Sequence, residues 1–134
     1  MKITKLPHYH VTAAFIHRGK NFLITQRLEK DKFGGLWEFP GGKQEVGETL
    51  EECLVREIFE ELNLHITIKK HLFNVEHSYK EAKITLHLFQ CQLDVGIPEC
   101  KDVQNWRWVD FSTVKNFEFT AADEDVIKML NEYL

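Results

Sequence analysis

The sequence lacks the marks of several common protein classes. Its three cysteines, Cys53, Cys91 and Cys100, are odd in number and form no CxxC pair. Neither a disulfide framework nor a zinc ribbon is therefore expected. So few cysteines suit a reducing compartment, and a cytoplasmic protein is the expectation. The longest apolar run near the N-terminus, Val11–Ile16, is broken by Thr12. It is too short for a secretory signal core, and a membrane helix needs about 20 apolar residues, so no membrane partner is expected. No Ser/Gly linker, repeat or low-complexity tract divides the chain, and its 134 residues read as one domain, 1–134. Lys and Arg do not cluster, which argues against a nucleic-acid polymer as partner.

What is concentrated is negative charge. The formal net charge is −4, and the window Lys43–Leu64 alone carries −5. It holds Glu45, Glu48, Glu51, Glu52, Glu57, Glu60 and Glu61 against Lys43 and Arg56. A nearly neutral chain with one acidic block raises the question of which cation faces it.

Period and punctuation give the order of elements. His8–His17 and Phe22–Arg27 read as strands joined by a turn at Arg18-Gly19-Lys20-Asn21, hence a hairpin. Trp37–Phe39 is a short strand that Pro40-Gly41-Gly42 should end. Glu48–Leu62 is a helix with Leu50, Leu54, Ile58 and Leu62 at i+4 spacing, starting at Gly47 or Glu48 and capped by Asn63. His65–Val75 and Ala82–Leu93 are longer strands, and Trp106–Val109 a short one. Ser112 and Thr113 could cap a brief helical turn. Ala121–Leu134 closes the chain as a helix with Val126, Ile127, Leu130 and Leu134 inward. Strands, helix, strands, helix is an α+β order, with a mixed sheet between helices.

The acidic helix carries the chemistry. At about 100° per residue, Glu57, Glu60 and Glu61 share one arc of about 100° beside the buried stripe. Like charges at i,i+4 oppose helix formation, and carboxylates in the last turn oppose the helix dipole. A hard divalent ion, Mg²⁺ or Mn²⁺, would offset both. The plainer alternative is a solvated acidic face, with Arg56 pairing Glu52 and Glu60. No D-x-D-x-D-G calcium loop is present.

The wider pattern favours the metal. From Gly42 the chain reads GKQEVGETLEECLVREIFEELNL. This resembles the Nudix box, G-x5-E-x7-R-E-U-x-E-E-x-G-U with U aliphatic, at every defined position but one. The final glycine of that pattern is Asn63 here, and Asn is the next best residue for a left-handed cap. LITQR, LWEFPGGK, WRWV and FTAADEDVI extend the likeness over nearly the whole chain, to the MutT-like subgroup of Nudix hydrolases. The resemblance implies an α/β/α sandwich with a central mixed β-sheet. It also implies Mg²⁺-dependent hydrolysis of a nucleoside triphosphate to the monophosphate and pyrophosphate.

By the same resemblance, Gly41, Glu57, Glu60 and Glu61 match metal-binding positions, and Asp102 a further acidic ligand from a loop. Glu57 matches a water-activating base, and Arg56 an orienter of a metal-binding carboxylate. Glu48 matches a structural position near the helix start. Arg27 matches an arginine that meets substrate. Phe39 and Asp123 match positions that hold the base. An ionised Asp123 could accept from the N1–H and 2-amino group of guanine, or from the 4-amino group of cytosine. The leading role implied is removal of a damaged nucleotide such as 8-oxo-dGTP. Hydrolysis of CTP or another pyrimidine nucleotide is the near rival, and a non-catalytic nucleotide-sensing domain the rival of another class. The partner expected is a small nucleotide, with the chain a monomer or homodimer. Tyr79 and the histidines His8, His10 and His77 read as packing or surface residues.

Overall fold

The computed structural model describes residues 6–134. The chain runs β1 (His8–Arg18), β2 (Asn21–Gln26), β3 (Trp37–Glu38), β4 (Gly41–Lys43), α1 (Leu50–Leu62), β5 (Ile66–Ser78), β6 (Lys83–Leu93), β7 (Asn105–Val109) and α2 (Ala121–Tyr133). A 3-10 turn at Val114–Asn116 precedes α2. The strands form one mixed sheet in the order β3-β2-β1-β6-β5, with β4 beside β1 and β7 beside β2. Strands β1 and β6 run parallel, and the other named pairs are antiparallel.

Alternation along β1 feeds two cores. Ala13 and Phe15 pack with Leu86, Leu88 and the α2 residues Val126 and Leu130. Ala14 and Ile16 pack with Leu54, Ile58 and Leu62 of α1. The sheet is thus the middle layer of an α/β/α sandwich, as expected. Burying each Leu or Ile fully is worth about 1.5–3 kcal/mol, so the i+4 row fixes which face of α1 turns inward.

Several boundaries differ from the sequence expectation. Helix α1 starts at Leu50, because Thr49 and Glu52 close a capping box: Thr49 Oγ1 accepts from Glu52 N at 3.1 Å, and Glu52 Oε1 accepts from Thr49 N at 2.8 Å. Glu48 therefore lies outside the helix. Asn63 does cap it, in the left-handed region at φ 54° and ψ 41°. Gly41 and Gly42 open β4 against Ala13 and Thr12 instead of ending a strand. Strand β5 continues past Val75 to Ser78 because β6 pairs it as far as Lys83. Leu134 is exposed rather than inward.

One edge of β1 is shared. Val11–Ala13 pair with β4, while His17 and Arg18 pair with β2. The Phe39-Pro40 corner fills the gap between, with Ala14 N donating to Pro40 O at 2.8 Å. This divergence lets side chains from both helical layers reach one cavity.

Candidate active site

The cavity has a volume of about 520 Å³, within the usual range for a small-molecule site. Arg27, Phe39, Gly41, Glu57, Glu61, Asp102 and Asp123 all line it. Of the residues matched to the family pattern, Glu48, Arg56 and Glu60 do not line it.

At one end stands α1. Arg56 gathers its acidic neighbours: Nη2 donates to Glu48 Oε1 at 2.7 Å, Nη1 to Glu57 Oε1 at 2.9 Å and to Glu60 Oε2 at 3.2 Å. Glu52 belongs to the capping box and is not an Arg56 partner, contrary to the expected pairing. The bond from Arg56, with that from Glu45 N, pulls the Glu48 carboxyl down to a pKa of about 2. Glu60 stays half-exposed on the rim.

Glu61 is different. It is 8% exposed, and its Oε2 has no hydrogen-bond partner. Burial first, then Glu38, Glu57 and Asp102, push its pKa well up. Burial also raises Glu57, against the pull of Arg56. A buried carboxylate oxygen without a donor is costly. Gly42 makes room for this pair: a Cβ there would lie 2.3 Å from Glu57 Cδ. A Cβ on Gly41 would lie 1.9 Å from Thr12 O. Asp102 reaches the same place because its loop closes the end of α1. The amides of Lys101 and Asp102 donate to Glu61 O at 3.0 and 3.1 Å, and Glu99 N donates to Leu62 O at 3.0 Å.

Among the described residues, no three carboxylates surround a single point. Arg56 holds Glu57 and Glu60. The donor set nevertheless fits a hard cation: oxygen ligands, a buried oxygen lacking a donor, and a glycine, Gly42, where a side chain would intrude on Glu57.

Towards α2, and with Glu38 and Arg27 near enough to act on Glu61, the charged groups come from separate segments. Arg27, just after β2, donates from Nη1 to Glu38 Oε1 at 3.1 Å and from Nε to Lys32 O at 2.8 Å. Burial, with Asp123 nearby, raises Glu38 to about 8 although Arg27 opposes the rise. Asp123 Oδ1 accepts from Phe39 N at 2.9 Å, and Oδ2 accepts from the Thr120 hydroxyl. Burial raises Asp123 to about 6. It latches the first turn of α2 to the end of β3, and each oxygen keeps a lone pair free.

Several lining residues escaped the sequence reading, Glu38, Lys43 and Phe33 among them, and Tyr79, read as a packing or surface residue, lines the cavity too. Lys43 Nζ stands 3.8 Å from the Tyr9 ring centroid. Phe33 has φ 59° and packs against Tyr79, with centroids 5.4 Å apart. For Glu38 there was a signal, a lone charge inside the apolar run Trp37–Phe39. Phe33 and Lys43 gave none.

The NUDIX domain model matches residues 11–129. The 8-oxo-dGTP diphosphatase of Proteus vulgaris is 42% identical over 81 residues, 60% of this chain and 72% of that protein. The CTP pyrophosphohydrolase of Escherichia coli K12 is 30% identical over 113 residues, 84% of each chain. The crystal structure of a MutT protein from Methanosarcina mazei Go1 superposes with a TM-score of 0.87 at 22% identity, covering 97% of both chains. The chain belongs to the NUDIX domain family. Within that family it is a MutT-like Nudix hydrolase, as the acidic box and its flanking segments led us to expect.

Proposed function

We propose that this chain hydrolyses a nucleoside triphosphate to the monophosphate and pyrophosphate, with 8-oxo-dGTP the leading substrate. The observation that carries the reading is the Glu57–Glu61 pair, with its buried oxygen lacking a donor, in one cavity with Asp123 and Phe39. Glu57, Glu61, Asp102 and the Gly41 backbone are the groups that would hold Mg²⁺ or Mn²⁺, with Glu60 joining from the rim. When bound, such an ion neutralises phosphate charge and acidifies a bound water.

The rest falls to the chain's own residues. Glu57 accepts the proton of the attacking water, and Arg56 orients it through Oε1. Arg27, steadied by Glu38, faces the substrate from the cavity lining. Asp123 receives the N1–H and 2-amino group of a guanine on the lone pairs that Phe39 N and Thr120 leave free. The pyrimidine reading also has support, because the same acceptor suits the 4-amino group of cytosine, and a CTP pyrophosphohydrolase is among the relatives. We place the protein in the cytoplasm, acting on free nucleotides as a monomer or homodimer. Among the described residues, no helix is long and apolar enough to cross a membrane.

The test is pyrophosphate release in excess Mg²⁺ from 8-oxo-dGTP, dGTP, CTP and dCTP. Preferred turnover of 8-oxo-dGTP is expected, and preferred turnover of CTP transfers the reading to the pyrimidine. Tight binding of a nucleotide without any hydrolysis overturns catalysis in favour of sensing.

A further inference from the structure

Four histidines lie together on the face of the sheet that α1 leaves uncovered. Helix α1 packs on Ala14, Ile16 and Phe89. Towards the start of β1 the same face carries His8 and His10, with Thr85 and His87 beside them on β6 and His71 on β5. Ring centroids are 4.6 Å apart for His8 and His10, 5.2 Å for His10 and His87, and 6.4 Å for His71 and His87. His10 Nδ1 lies 2.9 Å from His87 Nε2. His8 Nε2 is bonded to Thr85 Oγ1 at 2.7 Å, and His71 Nε2 to Asn74 Oδ1 at 2.7 Å. Among the described residues, Glu76 and Lys83 lie nearby, paired with each other at 3.6 Å. None of these residues lines the nucleotide cavity.

We propose that His10 and His87 form a second metal site, for a divalent transition ion of the nickel or copper class, independent of the acidic site. Imidazole nitrogens bind such ions at about 2.0–2.1 Å, and two of them at a right angle on one ion stand about 2.9 Å apart. That is the spacing here. A tetrahedral ion wants the nitrogens about 3.3 Å apart, so this pair suits square-planar or octahedral coordination. Binding requires both facing nitrogens to be free of protons. The proton shared between the rings is released or moves to the outer nitrogen of its ring, and both rings tilt towards the ion. His10 is exposed, so an ion can arrive from solvent. No three His, Cys, Asp or Glu side chains converge among the described residues, so water completes the coordination.

The test is a calorimetric titration of Ni²⁺ into the folded protein with millimolar Mg²⁺ present, in a Cys100→Ser background that removes the exposed thiol. Parallel samples take one equivalent of Cu²⁺ for electron paramagnetic resonance. One site with two coupled nitrogens is expected, weakened at least tenfold by His10→Gln and by His87→Gln, and unchanged in Glu57→Gln. His10 is on the surface, so its variant stays informative even where the His87 variant fails to fold. Ni²⁺ affinity unchanged in His10→Gln overturns the site. So does a copper spectrum without nitrogen coupling, or binding lost in Glu57→Gln instead.

Discussion

At the α1 end of the pocket, Glu57, Glu60 and Glu61 hang from one helix, and Arg56 holds two of them. At the α2 end, Arg27, Glu38 and Asp123 arrive from three separate segments. The first end is partly wet, and most of its acids have a partner. Burial raises acids at both ends, Glu57 and Glu61 at the first, and Glu38 to about 8 and Asp123 to about 6 at the second; the Glu57 and Glu38 side chains are equally exposed, at 18%. Glu61 lies on the helix of the first group but shares the burial of the second. The two ends differ in how they are built: one helix and one arginine gather the acids at the first, and bonds between distant segments hold them at the second.

The sharpest break of this contrast is at Glu57 and Glu61. Glu57→Gln should lower turnover by about three orders of magnitude while circular dichroism stays native. Full activity would remove Glu57 from the chemistry. Glu61→Gln should abolish activity yet raise stability by about 1 kcal/mol in Mg²⁺-free buffer, since an amide can donate where a buried carboxylate lacks a donor. A fall in melting temperature would show that the buried carboxylate is not the liability described. Gly42→Ala tests the same end through space alone. Its Cβ would meet Glu57 Cδ at 2.3 Å, so turnover should drop about a hundredfold.

The α2 end answers to pH instead. Folding lifts the Asp123 pKa from an ordinary 3.8 to about 6. Between those values the native state binds more protons than the unfolded chain, so stability falls as pH rises. Its contribution is full below about pH 4 and gone above about pH 6. Denaturant titrations from pH 4 to 7 should show this slope flattened in Asp123→Asn, which keeps an acceptor for Phe39 N. A slope equal to that of the parent would assign the proton elsewhere. Asp123→Ala should cost about 1–3 kcal/mol, because it leaves Phe39 N and Thr120 unpartnered.

The same contrast explains what the sequence disclosed. Residues fixed by helical spacing were legible: the i+4 row Leu54, Ile58 and Leu62, and the carboxylates beside it. So was the layer order, because strands, helix, strands, helix supplies a helix for each face of one sheet, as the two cores bear out. The start of α1 was misread although Thr49-x-x-Glu52 was present, because the charged Glu48 looked equally helical. Glu38, Lys43 and Phe33 depend on the divergence of β2 and β4 from β1, a long-range feature with no local period. The resemblance singled out Asp123 as a candidate, but its bond to Phe39 N spans 84 positions and appears only in three dimensions.

The smallest effect lies where the two kinds of information meet. Asn63 occupies the left-handed cap at φ 54°, where glycine carries no Cβ penalty. On backbone grounds Asn63→Gly should stabilise α1 by about 0.5–1 kcal/mol. The Asn63 amide also donates to Glu99, on the loop whose backbone closes α1 and brings Asp102 to the cavity. The exchange of cap strain for loop contact should leave the melting temperature within about 2 °C of the parent. If that loop positions Asp102, the concentration of Mg²⁺ needed for half-maximal activity should nonetheless rise several-fold. An unchanged Mg²⁺ requirement would show that the backbone bonds to Glu61 O and Leu62 O hold the loop without help from the cap.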